Sequence, residues 1–172
     1  MIVRTSLPPP LERLRRASIA DAAAAVPAHL TLLYPFVEPE RLDRAVRELL
    51  ANVAATIEPF DYRLTGPARF PDTVYVAVEP NERFVALQAA FGLAFPAFPI
   101  YGPDWAFEFV PHVSVAEGSA VIDPVTLEGA AWRSLPQVRR AARIDVIVRD
   151  AGGRWRTRWR IPLGRPGRSA RG

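Results

Sequence analysis

The chain contains two histidines, His29 and His112, and each stands in the same short frame. Pro27-Ala28-His29-Leu30-Thr31-Leu32 is echoed by Pro111-His112-Val113-Ser114-Val115: a histidine, an aliphatic residue, a hydroxyl residue and an aliphatic residue, shortly after a proline. In a β-strand, side chains at i and i+2 share a face. Leu30, Leu32, Val113 and Val115 are therefore expected to pack inward. His29 with Thr31, and His112 with Ser114, are expected on the opposite face, about 7 Å apart along each strand. Imidazole titrates near neutral pH, so two rings can hold opposite protonation states in one site, one as general base and the other as general acid. Hydroxyl groups donate to the negative charge that grows in a transition state. Two such pairs on either side of one phosphorus atom suit in-line cleavage of a phosphodiester. Either frame alone is a weak signal, because a single histidine on an apolar strand is more often structural. The repetition, in a chain with no other histidine, carries the reading.

Two elements must position these residues, and the sequence suggests how. Ile2–Ser6 reads as a first strand, broken by Pro8, Pro9 and Pro10, with a helix from about Leu11 to Ala24. His29–Tyr34 reads as a buried strand. Leu42, Ala45, Val46, Leu49, Leu50 and Val53 repeat at three and four, predicting a helix over 40–54. Phe60, Tyr62 and Leu64 alternate with polar residues as one strand, and Val74, Val76 and Val78 as the next, with Gly66-Pro67 and Pro71-Asp72 as punctuation between them. Asn81 is placed to cap a helix carrying Phe84, Leu87 and Phe91. A proline-rich loop over 96–104 leads to a strand at Val110–Ala116. Asp123-Pro124 suggests another helix start. Val138–Arg149 and Arg154–Ile161 read as closing strands around a turn at Asp150–Gly153. The resulting order, β-α-β-α-β-β-α-β-α-β-β, with its internal echo, predicts an α+β fold of two lobes. They are related by a pseudo-twofold, each pairing an antiparallel sheet with helices on its outer face, and a cleft lies between them. Residues 1–163 are expected to form this one domain, and 164–172 a basic tail.

Composition excludes some chemistry. There is no cysteine, which removes thiol nucleophiles, disulfides and thiolate metal sites. No run approaches the roughly 20 apolar residues of a membrane span. Arg4, Arg13, Arg15 and Arg16 lie near the start without the apolar stretch of a secretory signal, so a soluble cytoplasmic protein is expected. All 22 basic residues are arginine, and the net charge is +4. Arginine suits phosphate through its planar fork, although a GC-rich genome would give the same bias.

The motifs also carry a family resemblance. The stretch from Pro27 to Phe36 (PAHLTLLYPF) is similar to the first motif of bacterial 2′-5′ RNA ligase-like proteins, and Val110–Ala116 (VPHVSVA) to the second. Together they resemble the duplicated signature of the two-histidine phosphoesterases, with serine in place of the commoner threonine in the second motif. The resemblance runs from about Pro27 to Leu163. It implies a bilobal fold with the histidines facing across a cleft. It also implies hydrolysis of 2′,3′-cyclic phosphates at RNA ends or on nucleotides, or reversible 2′-5′ RNA ligation, without metal; RNA or a nucleotide cyclic phosphate is the expected substrate, with no cofactor and no obligate protein partner evident. It further suggests His112 as the group that activates water and His29 as the acid.

Other residues are secondary candidates for binding substrate. Tyr34, Phe36, Tyr101 and Trp105 could stack on a base. Arg69 and Tyr75, beside Phe70, could border the cleft. In the closing strand Arg154, Arg156, Arg158 and Arg160 alternate with Trp155, Thr157, Trp159 and Ile161. If the tryptophans pack under helices, the arginines, Arg156 and Arg158 foremost, line the cleft and steer an RNA backbone. Rival chemistries fit less well. Glu108 and Glu117 flank His112 and could join the histidines around a metal, but the spacing matches no metal motif. Ser114 lacks the glycine-rich turn of a serine hydrolase. A nucleotide- or RNA-binding module with little turnover is the alternative of a different class.

Overall fold

A computed structural model describes residues 1–103, 108–118 and 131–165. The strands are β1 (Ile2–Arg4), β2 (His29–Thr31), β3 (Phe60–Phe70), β4 (Thr73–Glu79), β5 (His112–Glu117), β6 (Gln137–Ala141), β7 (Arg143–Arg149) and β8 (Trp155–Pro162). The helices are α1 (Pro9–Ser18), α2 (Ala20–Ala23), α3 (Arg44–Ala55) and α4 (Glu82–Ala94). The protein is α+β, with two antiparallel four-stranded sheets ordered β2-β1-β7-β8 and β5-β4-β3-β6.

The two sheets repeat one plan. Each has a motif strand at its edge, paired with the strand that precedes it across a helical connection: β1 then β2 in one, β4 then β5 in the other. The edge strands β2 and β5 approach one another, which brings the two motifs together. One continuous core lies beneath both sheets, running from Leu11, Leu30 and Leu50 through Phe84 and Phe91 to Val113 and Ile144. The Tyr62 hydroxyl donates to Thr5 Oγ1 at 2.7 Å, and Arg139 Nε to the Ser6 carbonyl at 3.0 Å, tying the second sheet to the end of β1.

Several local expectations change. The first helix begins at Pro9, because a proline in the first turn forfeits only an amide that has no helical partner anyway. It stops at Ser18, where Ile19 turns extended and buries its side chain, and α2 follows as a separate turn. The strand expected over 29–34 ends at Thr31, since the amides of Leu32 and Leu33 both turn onto the Met1 carbonyl. α3 starts at Arg44, capped by Asp43, whose carboxylate accepts from the Val46 amide at 2.9 Å. Gly66-Pro67 marks a bulge inside the long strand β3 rather than its end.

The stretch expected as one strand, Val138–Arg149, is two. β6 pairs with β3 in the second sheet and β7 with β1 and β8 in the first, with the crossover at Ala142. The first sheet is thus closed by both ends of the chain and the second by its middle. Gly164, expected in the tail, is buried and donates its amide to the Ala54 carbonyl at 3.0 Å. Its φ of +75° and the Pro59 side chain 3.1 Å from where a Cβ would lie both favour glycine. Arg165 is exposed, and residues 166–172 and the helix expected at Asp123-Pro124 lie outside the described residues. Among the described residues no helix is long and apolar enough to cross a membrane.

Candidate active site

His29 and His112 are each the first residue of an edge strand, and each is partly exposed while the next residue, Leu30 or Val113, is buried. His29 Nδ1 lies 2.8 Å from the Pro27 carbonyl, and His112 Nδ1 lies 2.7 Å from the Val110 carbonyl. A carbonyl can only accept, so each Nδ1 carries the proton and each Nε2 is the nitrogen left for chemistry. Burial pushes the His29 imidazole down to about 4 against the opposing bond to Pro27, and the charges of Arg15, the Met1 α-amino group and His112 lower it further. Burial also lowers His112, again opposed by its carbonyl bond.

The hydroxyl residues share these strand faces. Thr31 pairs in register with Ile2, and Ser114 with Tyr75. Thr31 lies close enough to the Tyr101 phenol, and Ser114 to the Glu117 carboxylate, to favour the ionised form of each. Glu117 raises the Tyr101 phenol in turn, after burial. Burial raises the Glu117 carboxyl against its bond to Ser114, and Asp21 and Asp72 add to the rise. Tyr101 holds a left-handed backbone, φ 58°, and donates its amide to the Tyr34 carbonyl. A non-glycine residue in that region costs energy and persists where its surroundings demand it.

Aromatic rings enclose His112. Tyr75 and Phe70 lie 5.1 and 5.0 Å from its ring centroid, and 4.5 Å from each other. Behind His29 stands Arg15, which is buried. Its fork takes both oxygens of Glu12 at 2.9 Å and its NH2 donates to the Val26 carbonyl at 2.8 Å, which fixes the chain immediately before Pro27.

Among the secondary candidates, Tyr75 and Tyr101 are brought to the motifs. Tyr34 is 52% exposed and meets Trp155 edge-on at 6.5 Å, at the margin of the site. Phe36 packs against Phe95 and Phe98 as part of the core. Arg69 pairs with Val74, one residue out of phase with Phe70, and so lies on the face of the sheet opposite Tyr75 and Ser114. Trp105 lies outside the described residues.

The arginine face of the closing strand is not the one alternation predicts. Trp159 pairs with Val146 but Thr157 pairs with Ile147, so Arg158 is an extra residue in a bulge and the two halves of β8 face opposite ways. Trp159 and Ile161 pack on the core, whereas Trp155 and Thr157 turn to the other face and join Arg160 there. Arg156 pairs with Val148 on the core side and binds Asp150 at 2.5 Å; the Arg158 guanidinium lies over the Trp159 ring. Sequence reasoning missed Arg15, the approach of Glu117 to Ser114 and the half-buried Trp155. A bulge and a buried arginine leave no periodic trace.

A repeated pair of His-x-hydroxyl strands, set at the edges of two like sheets with their rings in mutual range, defines the two-histidine phosphoesterase class. Residues 3–153 match the 2'-5' RNA ligase superfamily, and the chain belongs to it. It is 35% identical over 98 residues to a Bacillus pumilus protein named "Putative phosphoesterase", covering 55% of this chain and 54% of that one. It is 33% identical over 97 residues to "Putative phosphoesterase GK0864" of Geobacillus kaustophilus, covering 54% and 52%. The matched part thus spans about half the length of these curated relatives. The crystal structure of TT0787 of Thermus thermophilus superposes over 94% of this chain and 95% of its own, with a TM-score of 0.58 and 21% identity, a likeness of fold.

Proposed function

We propose that the protein hydrolyses 2′,3′-cyclic phosphates at RNA ends or on nucleotides, by general acid–base catalysis between His29 and His112 and without a metal. The observation that carries this reading is the shared anchoring of the two rings. Each Nδ1 is committed to a carbonyl two residues earlier, which leaves two Nε2 atoms, one from each sheet, for one substrate. One Nε2 takes a proton from water as its oxygen bonds to phosphorus. The other gives a proton to the ribose oxygen whose bond to phosphorus breaks. Thr31 and Ser114 donate to the non-bridging oxygens as negative charge accumulates there.

The surroundings of the rings suggest their roles. Both are lowered before substrate binds, and His29 has the Arg15 guanidinium as an additional cationic neighbour. The field of an anionic phosphate restores a proton more readily to His112, which leaves His29 as the base. This is the reverse of the order implied by family resemblance, and in the ligation direction the roles exchange.

The test is turnover of each 2′,3′-cyclic mononucleotide by the wild type, His29→Ala and His112→Ala. Activity in the wild type and a loss of about 10²-fold or more in each variant is expected. Tight nucleotide binding without turnover in the wild type would instead establish a binding module.

A further inference from the structure

We infer that Glu117 acts as a charge filter: it admits a singly charged phosphodiester beside Ser114 and drives out the doubly charged phosphomonoester that hydrolysis makes. This rests on the phosphodiesterase reading above and adds a specificity-determining residue to it. The placement comes from a bulge. Strand period two would turn Glu117 away from Ser114, since the two are three residues apart. In β5, however, Ser114 pairs with Tyr75, Ala116 with Val74 and Glu117 with Thr73, so Val115 is an extra residue. Val115 and Ala116 both pack into the core. Tyr75 and Thr73 share one face of β4, so Ser114 and Glu117 share that face too. The chain is fastened immediately afterwards, where the Gly118 amide donates to the Asp72 carbonyl at 2.9 Å and Gly118 takes a φ of +98°.

The charges that act on Glu117 are of its own sign. Asp21 on α2 and Asp72 in the turn before β4 are both near enough to affect its carboxyl. Glu117 in turn acts on the Tyr101 phenol, which lies against Thr31. It is thus in range of both hydroxyl residues, Ser114 directly and Thr31 by way of Tyr101. Arg149 offsets part of the Asp21 charge, with its NH2 3.7 Å from that carboxylate. Arg15, behind His29, is already held by Glu12. Both imidazoles are lowered, and so start the reaction uncharged at neutral pH. A 2′,3′-cyclic phosphate carries one negative charge. When water adds to phosphorus and the ribose oxygen leaves with a proton, the product is a monoester. Its second proton is lost near pH 6, which gives it about two charges above that value. Coulomb energy scales with the product of the charges, so a carboxylate opposes this product about twice as strongly as the substrate. Glu117 is exposed, so salt screens the effect.

The test compares inhibition by 2′-AMP and 3′-AMP with KM for 2′,3′-cyclic AMP, on the intact protein at pH 5 and pH 8. At pH 8 Glu117→Gln should tighten the monoesters about 5-fold and cyclic AMP about 2-fold, the relation that two charges and one require. At pH 5, where the monoesters hold one charge, the two shifts should be equal. Glu117→Asp keeps the charge and should retain the wild-type discrimination. Glu48→Gln, which removes a carboxylate of α3 paired with Arg44, should change neither constant. In about 0.5 M salt the difference at pH 8 should shrink. Equal tightening of both ligands at pH 8, or Glu117→Asp behaving as Glu117→Gln does, would overturn the filter. If the wild type does not turn over cyclic AMP, dissociation constants of the same ligands take the place of KM. The same charge pattern then leaves the filter standing while the phosphodiesterase reading fails. Turnover without that pattern keeps the hydrolase and removes the filter.

Discussion

His29 and His112 are fastened by the same bond. Each Nδ1 meets the backbone carbonyl two residues earlier in its own frame, at 2.8 and 2.7 Å. The repeat in sequence is thus also a repeat in tautomer, and the two rings differ in what surrounds them. Nitrogen-15 chemical shifts of the free protein at pH 7 should show Nδ1 protonated and Nε2 bare in both. His29 should titrate near 4, and His112 below the ordinary histidine value. A His29 midpoint near 6.5 would contradict the account of its environment.

The lowered His29 also ties stability to pH. The unfolded chain binds a proton at this residue near pH 6.5, whereas the folded chain binds it only near 4. Between those values the unfolded state holds more protons, so stability falls as pH drops through the window and is recovered as pH rises. Urea midpoints at pH 4.5 and 7 should differ less in His29→Gln than in the wild type.

Arg15 is expected to matter to both fold and site. Arg15→Met leaves the Val26 carbonyl without its donor and the Glu12 carboxylate with Arg16 as its remaining partner, at a cost of about 3 kcal/mol in chemical denaturation. Glu12→Gln in the same chain should recover part of that loss. Turnover should fall well below the unfolding temperature as well, because Val26 precedes the carbonyl that aligns His29.

Thr31→Ala and Ser114→Ala should each lower kcat by about 10²-fold, the scale of losing one donor to a developing charge, with little change in the unfolding midpoint. Tyr101→Phe, which frees the Thr31 hydroxyl from its partner, should give a smaller loss in the same direction. A fall in stability without a fall in kcat would reassign these hydroxyls to packing.

Chelation separates the proposed chemistry from the rival metal site. Among the described residues, no three His, Asp or Glu side chains are grouped as metal ligands. Turnover is expected to survive dialysis against EDTA, and strong inhibition that added zinc or iron reverses would point to a metal mechanism.

Much of this molecule can be read along the chain. Strand period two placed His29 with Thr31 and His112 with Ser114, and the burial of Leu30 and Val113 follows from the same period. The pseudo-symmetric α+β plan followed from the repeated frame. These features are local, or are repeated locally, and a linear pattern can encode them. Tertiary structure alone decided which strands share a sheet. It split 138–149 between two sheets at Ala142, buried Arg15 behind His29, and linked Thr31 to Tyr101 and Ser114 to Glu117. It also decided the face of the closing strand, where one extra residue at Arg158 exchanged inside for outside. Side-chain direction in a sheet depends on register with a partner strand, and register is set by contacts between residues far apart in the chain.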